Sequence, residues 1–254
     1  MKIKTDLHIH TLASGNAFST VREYCEEAKA KGLEAICFTE NGPAMKGSIT
    51  LRYFEEIDRL HRKINGINVL RGVEANVISH LAELDIPFTE LRKLDLVMVA
   101  MHEHIMPKGT YQEVTETWLR LIRHPYVDVL SQPACECFAF DLPMILKECK
   151  QSNKVMEINE SLLHIPKHKQ YVEDLILGCK RFEVPIVVSS NAHYCTEVGE
   201  YGAAVRLLKE LDYPEERIIN RSYRTLYEWL TKKRPWLHDL PAPAKSEKRV
   251  GQSI

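Results

Sequence analysis

The sequence has no excess of charge of either sign and no long hydrophobic run. In 254 residues, 34 Lys and Arg oppose 35 Asp and Glu, which gives a formal net charge of −1. A surface so balanced exerts no strong attraction on nucleic acid or anionic lipid. The apolar runs are too short to cross a bilayer or to act as a targeting segment. These absences predict a cytoplasmic protein with no nucleic-acid partner and no membrane association.

The cysteine pattern excludes several other kinds of site. The seven cysteines are scattered, without the Cys-x-x-Cys pair that zinc ribbons and redox centres use. Reduced thiols are therefore expected. A composition of 44% hydrophobic and 27% charged residues is that of an ordinary globular protein with a sizeable core. We predict one domain over residues 1–240 and a disordered tail over 241–254, where the chain lacks any hydrophobic period.

Short apolar runs alternate with longer segments of helical period. This alternation is typical of strand and crossover-helix units with a parallel sheet. Two capping boxes mark helix starts, Thr20 with Glu23 and Thr110 with Glu113. Later helices are predicted over 167–182, 197–211 and 222–232. The predicted strands are 3–9, 35–39, 69–76, 94–101, 127–131, 155–159 and 186–190. Seven strands fit a barrel or a doubly wound open sheet, and their number alone does not decide between them.

Polar side chains follow almost every predicted strand. They are His8 and His10, Glu40 and Asn41, Glu74 and Asn76, His102, Gln132, Glu157 and Asn159, and Asn191 and His193. The carboxyl ends of parallel strands meet on one face, which is where barrels place their active sites. We therefore expect these side chains to form one site.

The segment Asp6-Leu-His-Ile-His10 carries the most specific signal. On a strand, His8 and His10 point to the same side. Imidazole suits zinc, manganese or iron, and one carboxylate completes a three-ligand site with an open position for water. Glu74 is the best candidate for that carboxylate. Six other histidines are interpreted as capping or surface groups: His61, His80, His124, His164, His168 and His238.

These motifs resemble those of the polymerase and histidinol phosphatase (PHP) family of metal-dependent phosphoesterases, over about residues 4–240. The matching segments are Asp6-Leu-His-Ile-His10, Phe38-Thr-Glu-Asn-Gly42, Arg71-Gly-Val-Glu-Ala-Asn76, Ala100-Met-His-Glu103, Leu130-Ser-Gln-Pro133, Met156-Glu-Ile-Asn159 and Ser189-Ser-Asn-Ala-His193. The resemblance implies an α/β fold, a distorted seven-stranded (β/α)7 barrel similar to the TIM barrel. It also implies up to three divalent metals, commonly zinc, manganese or iron, around a phosphate-ester pocket.

The resemblance further implies three sets of metal ligands. The first is His8, His10, Glu74 and the position of Asn191. Glu74 bridges to a second set, which adds His102 and the position of Gln132. The third comprises the positions of Asn16, Asn41 and His193.

The chain departs from the family pattern at four of these positions. Asn16, Asn41 and Gln132 stand where histidine is usual, and Asn191 stands where aspartate is usual. An amide carries no charge and is a poor zinc ligand. Three divalent cations bring six positive charges. Among the ligands that remain, only Glu74 carries a negative charge to balance them. We therefore predict one or two ions rather than three. Glu40 has two interpretations, as a replacement ligand of the third set or as hydrogen-bonding support for other ligands.

Three functional hypotheses follow. The favoured one is a metal-dependent phosphoesterase that hydrolyses a small phosphate ester with metal-activated water. In it, His8, His10, Glu74, His102 and His193 are metal ligands, and His193 is alternatively catalytic, as proton donor to the leaving oxygen. The second is a catalytically silent barrel that binds an anion or metabolite. The third is a metal-dependent hydrolase of carbon–nitrogen bonds. Fold analogy does not choose among them, and the oligomeric state is left open, a homo-oligomer included.

Overall fold

The computed structural model describes residues 1–134, 136–237 and 239–243, in which strands and helices alternate. The strands are β1 (Thr5–Ile9), β2 (Ala35–Phe38), β3 (Lys63–Ile64), β4 (Ile67–Asn76), β5 (Leu96–Ala100), β6 (Val129–Leu130), β7 (Val155–Asn159) and β8 (Ile186–Ser189). The α-helices are α1 (Val21–Ala30), α2 (Leu51–Glu55), α3 (Phe88–Leu91), α4 (Tyr111–Arg123), α5 (Leu142–Gln151), α6 (Glu160–Leu163), α7 (Lys169–Phe182), α8 (Gly202–Glu210) and α9 (Tyr223–Lys233). Single 3-10 turns connect several of them.

Seven of these strands form a parallel sheet that curls into a nearly closed barrel. The strand order is β1-β2-β4-β5-β6-β7-β8, and β3 pairs antiparallel with β4 at one side. The chain after β8 then meets β1 again, because His10 N donates to Ala192 O (2.9 Å) and Ala192 N donates to His8 O (3.2 Å). The barrel prediction is confirmed, and the open sheet was the wrong alternative.

The barrel interior is apolar, and α9 closes its amino end. The interior side chains come from every parallel strand, and they are Leu7, Ala35, Cys37, Leu70, Leu96, Met98, Val129, Val155 and Val187. Leu226 and Leu230 of α9 belong to the same buried cluster. Packing this end with side chains leaves the opposite end, where the strands terminate, as the open face of the barrel.

Local signals predicted most of the element boundaries. Both capping boxes are formed, and each places a glutamate beside the positive end of its helix. However, α8 begins at Gly202 and not near residue 197. The reason is that the Glu197 carboxylate accepts hydrogen bonds from His193 N (2.8 Å) and Tyr194 N (3.0 Å), which holds the chain in a turn.

The hairpin of β3 and β4 was not predicted. Its turn is Asn65-Gly66, and both residues have positive φ, 51° and 90°. Asn-Gly is the residue pair that two-residue hairpins of this geometry favour. The signal was therefore present in the sequence, but β3 is only two residues long and carries no alternation of its own.

Two further predictions concern membranes and the tail. Among the helices of the described ranges, none combines the length and apolar character that a membrane crossing requires. At the start of the predicted tail, Pro241 is held against α9, because Tyr223 Oη donates to Pro241 O (2.6 Å). Most of the predicted tail, residues 244–254, lies outside the described residues, as do Cys135 and His238.

Replacing Asn220 by alanine should destabilise the barrel strongly. Its fully buried side chain joins β1 to β8: Nδ2 donates to Thr5 O (2.9 Å) and Val188 O (2.7 Å), and Oδ1 accepts from Val188 N (2.9 Å). Alanine leaves Val188 N and Val188 O without partners and leaves Thr5 O with only the Tyr201 hydroxyl (3.3 Å), so we expect a loss of about 3 kcal/mol in the free energy of unfolding. Urea denaturation measures it, with exposed Gln112→Ala as control. A loss below about 1 kcal/mol would contradict this role of Asn220.

Candidate metal centre

His8, His10 and Glu74 converge at the open face of the barrel. His8 lies on β1, His10 directly follows that strand, and Glu74 lies on β4, so three points of the barrel wall meet here. All three side chains are buried. His8 Nε2 lies 3.0 Å from His10 Nε2 and 3.3 Å from Glu74 Oε1, and His10 Nε2 lies 3.7 Å from Glu74 Oε2. Within the described part of the chain, these residues form the one group of three or more with the spacing of metal ligands.

The hydrogen-bond partners of the two Nδ1 atoms, on His8 and His10, determine which ring nitrogen carries the proton. His8 Nδ1 is 2.6 Å from Glu157 Oε1, an acceptor, and His10 Nδ1 is 3.2 Å from Ser14 Oγ. With protons on both Nδ1 atoms, the two Nε2 atoms present lone pairs to each other and to a carboxylate. Such an arrangement repels itself unless positive charge, either a metal ion or a second proton on His8, lies among the three groups. The donor set, two imidazoles and a carboxylate with Nδ1 atoms engaged by outer partners, fits a divalent metal such as zinc.

The close approach of His8, His10 and Glu74 also shifts their pKa values. Burial lowers the pKa of His8, but the Glu157 and Glu74 carboxylates outweigh it and raise that pKa well above its ordinary value. Burial and the neighbouring His8 charge hold the pKa of His10 well below its ordinary value. Burial favours protonation of Glu74, but the His8 charge prevails and lowers the pKa of Glu74. The pocket is thus built to contain one positive charge between His8 and Glu74.

Glu157, on β7, organises the wall behind His8. Its fully buried carboxylate accepts from His8 Nδ1, from Gln132 N (2.8 Å) and from Ser189 Oγ. The Ser131 hydroxyl lies between Glu157 Oε2 (2.9 Å) and Glu74 Oε1 (2.8 Å). One carboxylate therefore joins β1, β6, β7 and β8 at the level of the site.

His102 and His193 lie around the central three residues. His102 Nδ1 is 2.9 Å from Asn76 Oδ1, an acceptor, because Asn76 Nδ2 donates to Asp85 Oδ2 (2.6 Å). His193 Nδ1 donates to Asn16 O (3.2 Å), and its ring stacks on that of His10 with centroids 4.7 Å apart. Burial lowers the pKa of both His102 and His193. Each ring therefore keeps an unengaged Nε2.

The four amide residues do not reproduce the ligands that they replace. Gln132 Nε2 is directed at Glu74 Oε1 (3.3 Å), and Asn191 Nδ2 donates to Ser161 Oγ (3.1 Å). Asn41 Nδ2 lies 3.5 Å from His10 Nδ1, and Asn16 has an exposed side chain. Gln132 and Asn191 both have positive φ, 47° and 57°, a backbone conformation that asparagine tolerates better than most residues.

Several residues of the site were missed by the sequence reasoning. Four residues that hydrogen-bond to the ligands or to their supporting side chains were not singled out: Ser14, Asp85, Ser131 and Ser189. Ser131 and Ser189 do stand at the ends of β6 and β8, which was a usable signal. Ser14 and Asp85 lie in loops, where no period indicates the direction of a side chain.

Known proteins resemble this chain along most of its length. The chain is 35% identical over 237 residues to a probable phosphatase of Caldanaerobacter subterraneus subsp. tengcongensis, covering 92% of this chain and 93% of that relative. A probable phosphatase of Acetivibrio thermocellus is 34% identical, with coverage of 92% and 98%.

A solved structure shares the fold. The crystal structure of histidinol phosphate phosphatase from Lactococcus lactis subsp. lactis, complexed with zinc, L-histidinol and phosphate, matches with a TM-score of 0.60 at 22% identity. The match covers 86% of this chain and 97% of that one. The PHP domain model matches residues 6–173. The chain belongs to the PHP domain family.

Proposed function

We propose that this protein is a metal-dependent phosphatase that hydrolyses a small phosphate ester. The observation that carries the proposal is the meeting of two imidazole Nε2 atoms, 3.0 Å apart, with the Glu74 carboxylate, while outer acceptors engage both Nδ1 atoms. The probable phosphatases that resemble the chain over nine-tenths of its length support the reaction class. His8, His10 and Glu74 are the proposed ligands. A divalent cation there supplies Lewis-acid polarisation of a phosphoryl oxygen and lowers the pKa of water.

The protein's own residues supply orientation and proton transfer. Glu157 holds His8 by its Nδ1 proton, and the burial of the cluster keeps bulk water from its ligands. His193 donates its Nδ1 proton to Asn16 O, and its lowered pKa leaves the ring neutral near pH 7. Its Nε2 is therefore proposed to accept a proton from the attacking water and to pass it to the leaving oxygen. This order revises the initial hypothesis, in which His193 starts as the donor.

The site favours small substrates. A cleft of about 280 Å³ lies beside His193 and is lined in part by Ser161, His164 and Asn191. This volume is at the lower end of small-molecule pockets. Its lining contains no lysine or arginine and carries three carboxylates, Glu160, Glu197 and Glu200, which would repel a second phosphate group. We therefore propose a phosphate monoester with a compact, uncharged or cationic alcohol as the substrate class.

One ion is proposed rather than two. A second ion would share Glu74 with His102, but Gln132 directs its amide nitrogen at that carboxylate (3.3 Å from Oε1), and a donor nitrogen offers a cation no lone pair. Replacing Gln132 by histidine should raise the bound metal from about one toward two ions per chain, because an added imidazole completes a second ligand set. Histidine tolerates the positive φ of this position. Inductively coupled plasma mass spectrometry counts the ions, and exposed Gln112→His is the control. A content unchanged from wild type would contradict this interpretation of Gln132.

Purified protein expressed with added zinc, manganese or iron tests the proposal directly. We expect stoichiometric metal and release of inorganic phosphate from p-nitrophenyl phosphate and from small phosphate monoesters. Metal without phosphate release under Zn, Mn, Fe, Co and Mg in turn would refute the phosphatase. Protein that remains metal-free throughout would favour the silent barrel, to which the amides at Asn16, Asn41, Gln132 and Asn191 point.

A further inference from the structure

Glu40 is a buried carboxylate whose oxygens are already engaged. It follows β2 and accepts three hydrogen bonds from the turn after β1: Thr11 N (2.9 Å), Thr11 Oγ1 (2.6 Å) and Ser14 Oγ (2.6 Å). These bonds leave Glu40 turned toward its own loop. The contacts therefore favour the second interpretation of Glu40, as support for a ligand, over the first.

Ser14 connects this carboxylate to the cluster. A hydroxyl has one proton to donate and two lone pairs to accept with. The Ser14 proton is committed to Glu40 Oε2, and one lone pair accepts from Asn41 N (3.0 Å). The remaining lone pair faces His10 Nδ1 at 3.2 Å. His10 can satisfy this contact only if its proton lies on Nδ1, which leaves a lone pair on Nε2.

A second contact of His10 Nδ1 competes with the one to Ser14. The direction of the hydrogen bonds from Glu40 through Ser14 to His10 therefore determines which ring nitrogen carries the proton. Asn41 Nδ2 lies 3.5 Å from His10 Nδ1 and is a donor. If Ser14 did not accept there, Asn41 would favour a lone pair on Nδ1 and would move the proton to Nε2. The ring would then present N–H to Glu74 and to any cation.

We propose that Glu40 is a positioning residue that acts through Ser14 to hold His10 in the tautomer able to bind a metal. The inference rests on the proposed metal centre for its functional meaning. Its structural content, the position of one proton in the metal-free protein, is independent of that centre.

Three variants test the chain of contacts. Ser14→Ala removes the acceptor, and Glu40→Met releases the Ser14 proton toward His10. Both should move the His10 proton to Nε2 and weaken zinc binding about 10- to 100-fold. Glu40→Gln should behave like wild type, because Thr11 N requires the amide oxygen on the Ser14 side while the amide nitrogen faces Thr11 Oγ1.

Two measurements are needed. Nitrogen NMR of selectively ¹⁵N-histidine-labelled, metal-free protein reports the tautomer, with His10 assigned by its absence in His10→Asn. Competition with a chromophoric chelator reports zinc affinity. Ser79→Ala is the control, because that exposed hydroxyl also donates to a carboxylate, Glu83.

The outcomes separate this inference from the proposed function. A wild-type tautomer in folded Ser14→Ala protein would overturn it. Equal loss of zinc affinity in Glu40→Gln and Glu40→Met would also overturn it, by showing that charge and not hydrogen-bond direction matters. If wild-type protein binds no zinc, the proposed function fails, while the tautomer measurement still decides the role of Glu40.

Discussion

Glu74→Gln is expected to reduce kcat/KM for phosphate monoesters by at least about a thousandfold, because the several kcal/mol of charge stabilisation that a bound metal supplies is lost with the metal. Glu74 is the one carboxylate in contact with both His8 and His10 among the described residues. Glutamine keeps its shape but replaces one oxygen by N–H₂ and removes the negative charge. The measurements are steady-state kinetics and metal content after dialysis.

Two controls separate this effect from a general loss of structure. Glu103→Gln makes the same change on an exposed side chain next to His102 and should retain wild-type kinetics. Thermal unfolding of metal-free Glu74→Gln should show a folded protein, since the substitution creates no cavity. Wild-type activity in metal-depleted Glu74→Gln protein would show that the chemistry occurs elsewhere.

The fold was predictable because its signals are local and repeated. Apolar runs alternating with helical segments, together with capping pairs such as Thr20 with Glu23, located the seven parallel strands and the principal helices. Closure of the barrel was not readable in this way. It depends on Ala192 meeting His8 and on Asn220 reaching Thr5, which lies 215 residues earlier in the chain, and no local pattern reports contacts of such long range.

The candidate site was predictable only for residues on strands, because alternation along a strand fixes the side to which each side chain points. His8 and His10 alternate on β1 and so had to share a side, and Glu74 at the end of β4 had to face the same end of the barrel. The hydrogen bonds that support these ligands could not be predicted from the hydrophobic periodicity of the sequence. Ser14 reaches His10 from a 3-10 turn, and Asp85 supports His102 through Asn76 from a loop.

The replaced residues show why chemical type alone misleads at such a site. Loss of ligating imidazoles at the positions of Asn41 and Gln132 suggested a weakened centre. The structure instead places two buried carboxyl groups behind the imidazoles, those of Glu40 and Glu157. Because these carboxylates act through hydrogen bonds, their effect on metal binding depends on which oxygen accepts from which donor. A Glu→Gln substitution tests this dependence, because it changes one acceptor oxygen into a donor nitrogen.

Glu157→Gln should weaken zinc binding about 100-fold, whereas Glu40→Gln should leave it nearly unchanged. Gln132 N donates to Glu157 Oε2 (2.8 Å), so the amide oxygen of a glutamine must stay on that side. Its amide nitrogen then faces His8 Nδ1, which is 2.6 Å from the present oxygen. Two N–H groups cannot point at each other, so the His8 proton must move to Nε2, where it blocks the metal.

The comparison of these two variants is the sharpest test of the site, because both remove one buried negative charge from the wall behind the imidazoles. Chelator competition gives both zinc affinities, and urea denaturation of the metal-free proteins shows whether each remains folded. Equal affinities would mean that tautomer control does not operate. A large loss in Glu157→Gln alone would establish that the direction of a single hydrogen bond, and not the total charge of the pocket, prepares His8 to bind.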